Sequence, residues 1–226
     1  MLTSHENLNY FYRKSPVTMD MAYYQSGNSE GQQSGAYIFR PSTDTPEKLP
    51  LKSCGTEVRV GNLLTEEWHT LREPAEQDCS NITFSYVIRT FSDDPTYQEV
   101  EWMVGPIPMV ENLGKEVVMV YNFPESLLAD TNSDHHSFLT DSNGRQYLRR
   151  KLNSRDSFNI SQGDFDAEFA SANYYPLNSG ISIDGLTEDM QFDVLIDRAQ
   201  GASSLKPNEV EIMVHRRLAH DDGRGS

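Results

Sequence analysis

The feature that most constrains the fold is a succession of short runs rich in β-branched and aromatic residues, each cut off by turn chemistry. The runs are Tyr37-Ile-Phe, Glu57-Val-Arg-Val, Ile82-Thr-Phe-Ser-Tyr-Val-Ile-Arg and Tyr97-Gln-Glu-Val-Glu-Trp-Met-Val. They continue with Lys115-Glu-Val-Val-Met-Val-Tyr, Gly180-Ile-Ser-Ile-Asp, Gln191-Phe-Asp-Val-Leu-Ile-Asp and Glu209-Val-Glu-Ile-Met-Val-His. In the third of these runs the period is two: Ile82, Phe84, Tyr86 and Ile88 alternate with Thr83, Ser85, Val87 and Arg89. That period belongs to a strand with one buried face.

The breaks between runs have a mechanism. Asp93-Asp-Pro reads as a tight connection. Asp141-Ser-Asn-Gly-Arg, between Phe138-Leu-Thr and Gln146-Tyr-Leu, predicts a hairpin, because Asn-Gly accepts positive φ at both central positions. Lys206-Pro-Asn-Glu separates the last two strong runs. Helical periodicity is scarce. Thr65 to Leu71 gives about two turns before Pro74 and reads equally well as a strand. Residues 1–34 read as a polar, Ser- and Gly-rich lead-in, and 35–226 as the β region. Many short strands with frequent turns predict an all-β, antiparallel β-sandwich.

Charge narrows the partners. Nineteen Lys and Arg stand against 34 Asp and Glu, a formal charge of -15. That excludes the phosphate backbone of nucleic acid and an anionic membrane surface as partners, and it suits a neutral ligand such as a sugar. No apolar run approaches a membrane span. The first residues lack the basic start and apolar core of a signal peptide. Cys54 and Cys79 are either one disulfide or two free thiols. Asn81-Ile-Thr and Asn159-Ile-Ser are sequons, the acceptor pattern of secreted and lysosomal proteins.

No constellation declares a catalytic centre. A retaining glycosidase needs two carboxylates about 5 Å apart, and 34 acidic residues make acid pairs uninformative. Asp221 and Asp222 are adjacent, and Asp193 and Asp197 flank a strand. All four read as solvated surface groups. Asp134-His135-His136 lacks a third ligand at metal-binding spacing, and His220-Asp-Asp is no stronger. Aromatic and guanidinium groups suit a sugar better, since rings stack on its CH face and Arg bonds its hydroxyl rim. Tyr37, Tyr174, Tyr175, Arg216 and Arg217 are of that type. Each also has a structural alternative: Tyr37 in a core, Tyr174 plugging a sandwich, Arg216 paired with Asp221 or Asp222.

Several segments occur in an order that resembles glycoside hydrolase family 38, the class II α-mannosidases. They are Ser34-Gly-Ala-Tyr-Ile-Phe-Arg-Pro, Gly105-Pro-Ile-Pro, Gly114-Lys-Glu-Val, Thr140-Asp-Ser-Asn-Gly-Arg and Asn173-Tyr-Tyr-Pro-Leu-Asn. Asp197-Arg-Ala-Gln-Gly-Ala-Ser-Ser-Leu and the stretch from Glu209 to Gly225 complete the series. The resemblance implies the C-terminal β region of a zinc-dependent, retaining exo-α-mannosidase acting on terminal α-mannose of N-glycan-type oligosaccharides. It implies a supersandwich-like, galactose-mutarotase-like fold, incomplete in this chain. The zinc ligands, the nucleophile and the acid/base then belong to an N-terminal catalytic domain outside this chain, so no catalytic residue or zinc ligand is assigned within it. Lysosomal or secreted placement is implied for the full-length protein. Tyr37 resembles the tyrosine that hydrogen-bonds near the reacting sugar, and one of Arg216 and Arg217 an arginine reaching the same cleft. If Val210, Ile212 and Val214 face the core, alternation puts Arg216 with them and Arg217 outward. The alternative expectation is a non-catalytic carbohydrate-binding or interaction module.

Overall fold

The computed structural model describes residues 17–27, 33–74, 78–79, 83–94, 96–109, 111–128, 136–141, 143–155, 168–184, 186 and 191–220. In chain order the strands are β1 (Thr18–Gln25), β2 (Glu47–Lys48), β3 (Lys52–Val60), β4 (Leu64–Arg72), β5 (Phe84–Phe91), β6 (Gln98–Val104) and β7 (Lys115–Asn122). They continue as β8 (Ser137–Asp141), β9 (Tyr147–Lys151), β10 (Tyr175–Leu177), β11 (Gly180–Ile183), β12 (Phe192–Leu195), β13 (Gln200–Ser203) and β14 (Glu209–Arg217). Helix among the described residues is confined to a 3-10 turn at Glu125–Leu127 and one turn at Phe169–Ala172. The chain divides into two compact units, one of Leu49–Pro108 and one of Pro16–Lys48 with Met109–Ser226.

The larger unit is an antiparallel sandwich. One sheet runs β10-β13-β14-β7-β1-β2, the other β12-β11-β8-β9. β7 is central, paired with β1 along all eight residues and with β14 on its other side. Residues Lys115–Val120 of β7 are buried. A strand covered on both faces needs no polar side, which is why Val117-Val-Met-Val runs apolar without alternation. On one face, Ala202, Val210, Ile212, Tyr175 and Leu177 interleave with Phe138, Ile181 and Ile183 of the second sheet. Each such large side chain contributes roughly 1.5–3 kcal/mol by leaving water. The other face, bearing Ala22, Tyr24, Val118 and Val120, is covered by Ala170 and Leu205, with Phe39 and Tyr174 packed against them.

The all-β sandwich inferred from the sequence is thus the observed fold. The hairpin at 141–147 forms, but with a longer loop than an Asn-Gly turn: Asp141 pairs with Tyr147, Asp141 Oδ1 accepts the N–H groups of Asn143 and Gly144, and only Gly144 of that pair takes positive φ, +70°. Thr65 to Leu71, open between helix and strand in the sequence, is strand, within β4. Two local readings differ. Thr18–Gln25, placed in the lead-in by its mixed composition, is β1, and its pairing with β7 decides its conformation. Tyr37-Ile-Phe is a turn rather than a strand, as described below.

The smaller unit is a four-stranded meander, β3-β4-β5-β6. Register places Glu57, Arg59, Glu66, Trp68, Val87, Arg89 and Glu101 on one face. There Arg89 bonds Glu66 at 2.9 Å and Glu101 at 2.8 Å. On the opposite face His69 stacks on Tyr86 with centroids 4.4 Å apart. Buried apolar side chains among the described residues of this unit are only Phe84, Val87 and Ile107. The thiol question is settled by a Cys54–Cys79 disulfide with Cα atoms 5.7 Å apart. The β3–β4 register shifts between Ser53 and Gly55, so Cys54 stands at the irregularity, outside the ladder.

Candidate functional site around the Tyr37 turn

The segment from Ser34 to Arg40 is built to present one side chain. Gly35 and Ile38 exchange both backbone hydrogen bonds, at 3.0 and 3.3 Å, leaving Ala36 and Tyr37 as a two-residue tip. Tyr37 is 77% exposed there. Two residues on, Phe39 turns inward and packs edge-on against Tyr24 and Tyr174, with centroids at 5.2 and 5.0 Å. The base of the turn is tied to the end of β1. The Ser34 N–H donates to Ser26 Oγ at 3.1 Å, and the Arg40 N–H donates to Ser34 Oγ at 2.8 Å. The Gly27 N–H donates to the Arg40 carbonyl at 3.0 Å.

Arg216 reaches this turn from β14. Its Nη1 donates to the Ala36 carbonyl and its Nη2 to the Ile38 carbonyl, each at 3.4 Å. Nη2 also pairs with Glu116 Oε1 on β7. Simple alternation would have placed Arg216 on the face of Val210 and Ile212. A bulge intervenes: the register shifts between Met213 and His215, leaving Val214 without a partner residue. One extra residue reverses the side on which all later residues emerge. Arg216 therefore stands opposite Glu116, in one cross-strand row with Tyr24, and Arg217 is opposite Lys115 and exposed. Close beneath, an added Cβ on Gly114 would come within 2.9 Å of the Arg217 carbonyl, so this approach requires glycine.

The same face holds a second carboxylate. Glu211 has no exposed surface, and its Oε2 accepts the hydroxyls of Tyr24 at 2.8 Å and Tyr174 at 2.6 Å. Its Oε1 has no hydrogen-bond partner among the described residues. Burial pushes the Glu211 carboxyl up to about 7, the two tyrosine hydroxyls opposing the rise. Burial likewise raises Glu116 to about 7, with the Arg216 guanidinium opposing it. The two tyrosines are raised well above their usual value, first by burial and then by the Glu211 charge, so they remain donors.

The remaining sequence candidates separate cleanly. Tyr174 and Tyr175 serve the core, the latter packed against Phe138 at 5.8 Å. His136 is buried and bonds Ser204 Oγ at 2.7 Å. Asp193 and Asp197 are held by Gln191 and Arg198 at the surface. Asn81, Asn159, Asp134, His135, Asp221 and Asp222 lie outside the described residues. Sequence reading passed over Glu116 and Glu211. Their signal was an acidic residue inside an otherwise apolar run. Among the described residues no three His, Cys, Asp or Glu side chains converge as a metal would need, so no metal-dependent step is derived for this chain.

Residues 5–224 match the family model described as the glycosyl hydrolases family 38 C-terminal domain. The chain is 38% identical over 214 residues to the lysosomal alpha-mannosidase of Homo sapiens, covering 93% of this chain and 19% of that protein. It is 38% identical over 221 residues to the lysosomal alpha-mannosidase of Cavia porcellus, covering 94% and 19%. It is 35% identical over 213 residues to the alpha-mannosidase of Canavalia ensiformis, covering 93% and 19%. The chain thus spans about a fifth of the length of these relatives.

Proposed function

The chain belongs to the family of glycosyl hydrolase family 38 C-terminal domains, and we propose that it forms the non-catalytic β wall of a mannose-cleaving site. In this reading the longer protein is a zinc-dependent, retaining exo-α-mannosidase that trims terminal α-mannose from N-glycan-type chains. Its metal, nucleophile and acid/base come from outside the 226 residues. Placement is lysosomal or secreted, in line with the names of its relatives. Among the described residues no helix is long and apolar enough to cross a membrane.

The observation that supports this reading most is the Tyr37 tip, a phenol held out to solvent by a braced turn. A core residue would not be so exposed, and a floppy loop would not need Ser26, Ser34 and Arg216 around it. The Tyr37 hydroxyl is the group we assign to a sugar hydroxyl. The guanidinium of Arg216 is already committed to backbone carbonyls and to Glu116, so its part is to brace; Arg217, exposed one residue on, is the guanidinium we assign to the glycan rim.

The pure chain is expected to leave an aryl α-mannoside uncleaved, with or without added zinc. In an NMR titration with methyl α-mannoside, the Tyr37 ring signals should shift. Tyr37→Phe should weaken binding by about three- to tenfold, the worth of one neutral hydrogen bond. Robust turnover by the chain alone would overturn the division of labour. Shifts confined to residues far from Tyr37 would overturn the site.

A further inference from the structure

We infer that Glu116 is a positioning residue for Tyr37, acting through the guanidinium of Arg216. This rests on the reading of Tyr37 as the sugar-facing group. The tip carrying Tyr37 is two residues long, and the carbonyls on either side of that tyrosine, Ala36 and Ile38, are the two that Arg216 holds. A planar guanidinium with divergent N–H groups can span two carbonyls in a way that a point-charge ammonium cannot. What fixes the plane of that guanidinium is Glu116 Oε1, on the central strand of the sheet.

The carboxylate is costly where it stands. The Glu116 side chain is 3% exposed, while that of Arg216 is 35% exposed. Glu116 Oε2 and Arg216 Nε are buried without a hydrogen-bond partner among the described residues. Taking a charge out of water costs several kcal/mol, and apolar replacements of buried ion pairs are often neutral or stabilising. A sheet optimised for stability alone would carry valine at 116, as it does at 117, 118 and 120. The ion pair instead makes the central strand of the sheet an anchor for the exposed Tyr37. Without the carboxylate, only two long hydrogen bonds, 3.4 Å each, hold the part-exposed guanidinium over the turn. Tyr24, in the same row from β1, donates its hydroxyl to Glu211 and gives Glu116 no substitute.

The test uses the 226-residue chain at pH 8, where Glu116 carries its charge, with two near-isosteric variants. Glu116→Gln keeps the shape and removes the charge. Arg216→Lys keeps the charge opposite Glu116 and removes the fork. Both should speed amide exchange at Gly35 and Ile38 and chymotryptic cleavage after Tyr37 by about tenfold or more, the factor that a loss of about 1.4 kcal/mol gives. Exchange at Val118 and Ile212, in the sheet, should not speed up. Val118→Ala serves as a control that loosens the sheet while leaving the Tyr37 turn protected. Methyl α-mannoside binding should weaken in step with the exchange at Gly35 and Ile38. Unchanged exchange and cleavage at the turn in both variants would overturn the role of Glu116, whatever the sugar does. A turn that loosens as expected in a chain that shows no mannoside shift at Tyr37 would instead overturn the sugar-binding reading and leave the Glu116–Arg216 link standing.

Discussion

Acidifying the chain from pH 7.5 to pH 5 should increase its resistance to urea, the opposite of what a protein this acidic would show if ion pairs dominated. The cause is Glu211. Its carboxyl titrates at about 7 in the folded chain against 4.5 for an ordinary glutamate, because it is buried and has only tyrosine hydroxyls to bond it. Between those values the folded state holds a proton that the unfolded state has lost. Linkage then makes stability fall as pH rises through that window. The shift corresponds to about 3 kcal/mol, at 1.36 kcal/mol per pH unit. Glu116 acts in the same direction, with its rise opposed by Arg216. Below the window these groups are neutral in both states and the gain levels off. Asp141 and Asp184, whose carboxyls are held low by Ser179 and Arg149 respectively, then begin to cost stability as they protonate.

The measurement is a set of urea transitions from pH 4.5 to 8, repeated with Glu211→Gln. The amide oxygen can still accept both tyrosine hydroxyls, so the variant should fold. Its curve should lose most of the slope between pH 5 and 7.5. A wild-type midpoint that stays level or rises with pH over that range would refute the assignment.

Reducing the Cys54–Cys79 bond should open the β3–β6 meander while leaving the exchange of β7 amides unaltered. The two cysteines are 25 residues apart, and closing such a loop removes enough disorder from the unfolded chain to stabilise by roughly 3–4 kcal/mol. That is a large share for a unit whose buried apolar side chains are Phe84, Val87 and Ile107. Small bodies without a sufficient core depend on such crosslinks. Hydrogen exchange of β3–β6, followed with and without a phosphine reductant and in a Cys54→Ser, Cys79→Ser variant, gives the answer. Protection of Trp68 and Val87 that survives reduction would show that the four strands need no staple.

Much of this fold is written locally. The β-branched runs 57–60, 115–121, 180–183 and 209–215 all lie in strands. The turn at 141–145 forms because Asp141 caps its N–H groups. What the sequence withheld depends on partners distant along the chain. Thr18–Gln25 has no strong strand propensity, yet every one of its residues faces one on β7. Ile38 and Phe39 have the propensity, but Arg216 and the Ser26–Ser34–Arg40 bonds hold them in a turn. The Cys54–Cys79 pairing required the chain direction of a loop that no spacing encodes. The site was half legible. Tyr37 and Arg216 came from motif resemblance, whereas Glu116 became visible only when register put it opposite Arg216.

The bulge at Val214 has a further consequence. The residue that meets the Glu116 carboxylate is chosen by a count as much as by identity. Were the ladder ironed flat with Val214 kept in step, the imidazole of His215 would stand over Glu116, and the guanidinium would emerge beside Lys115 on the reverse of the sheet. A register slip of one position in this stretch would therefore put an imidazole in place of a guanidinium without altering a single letter of the motif.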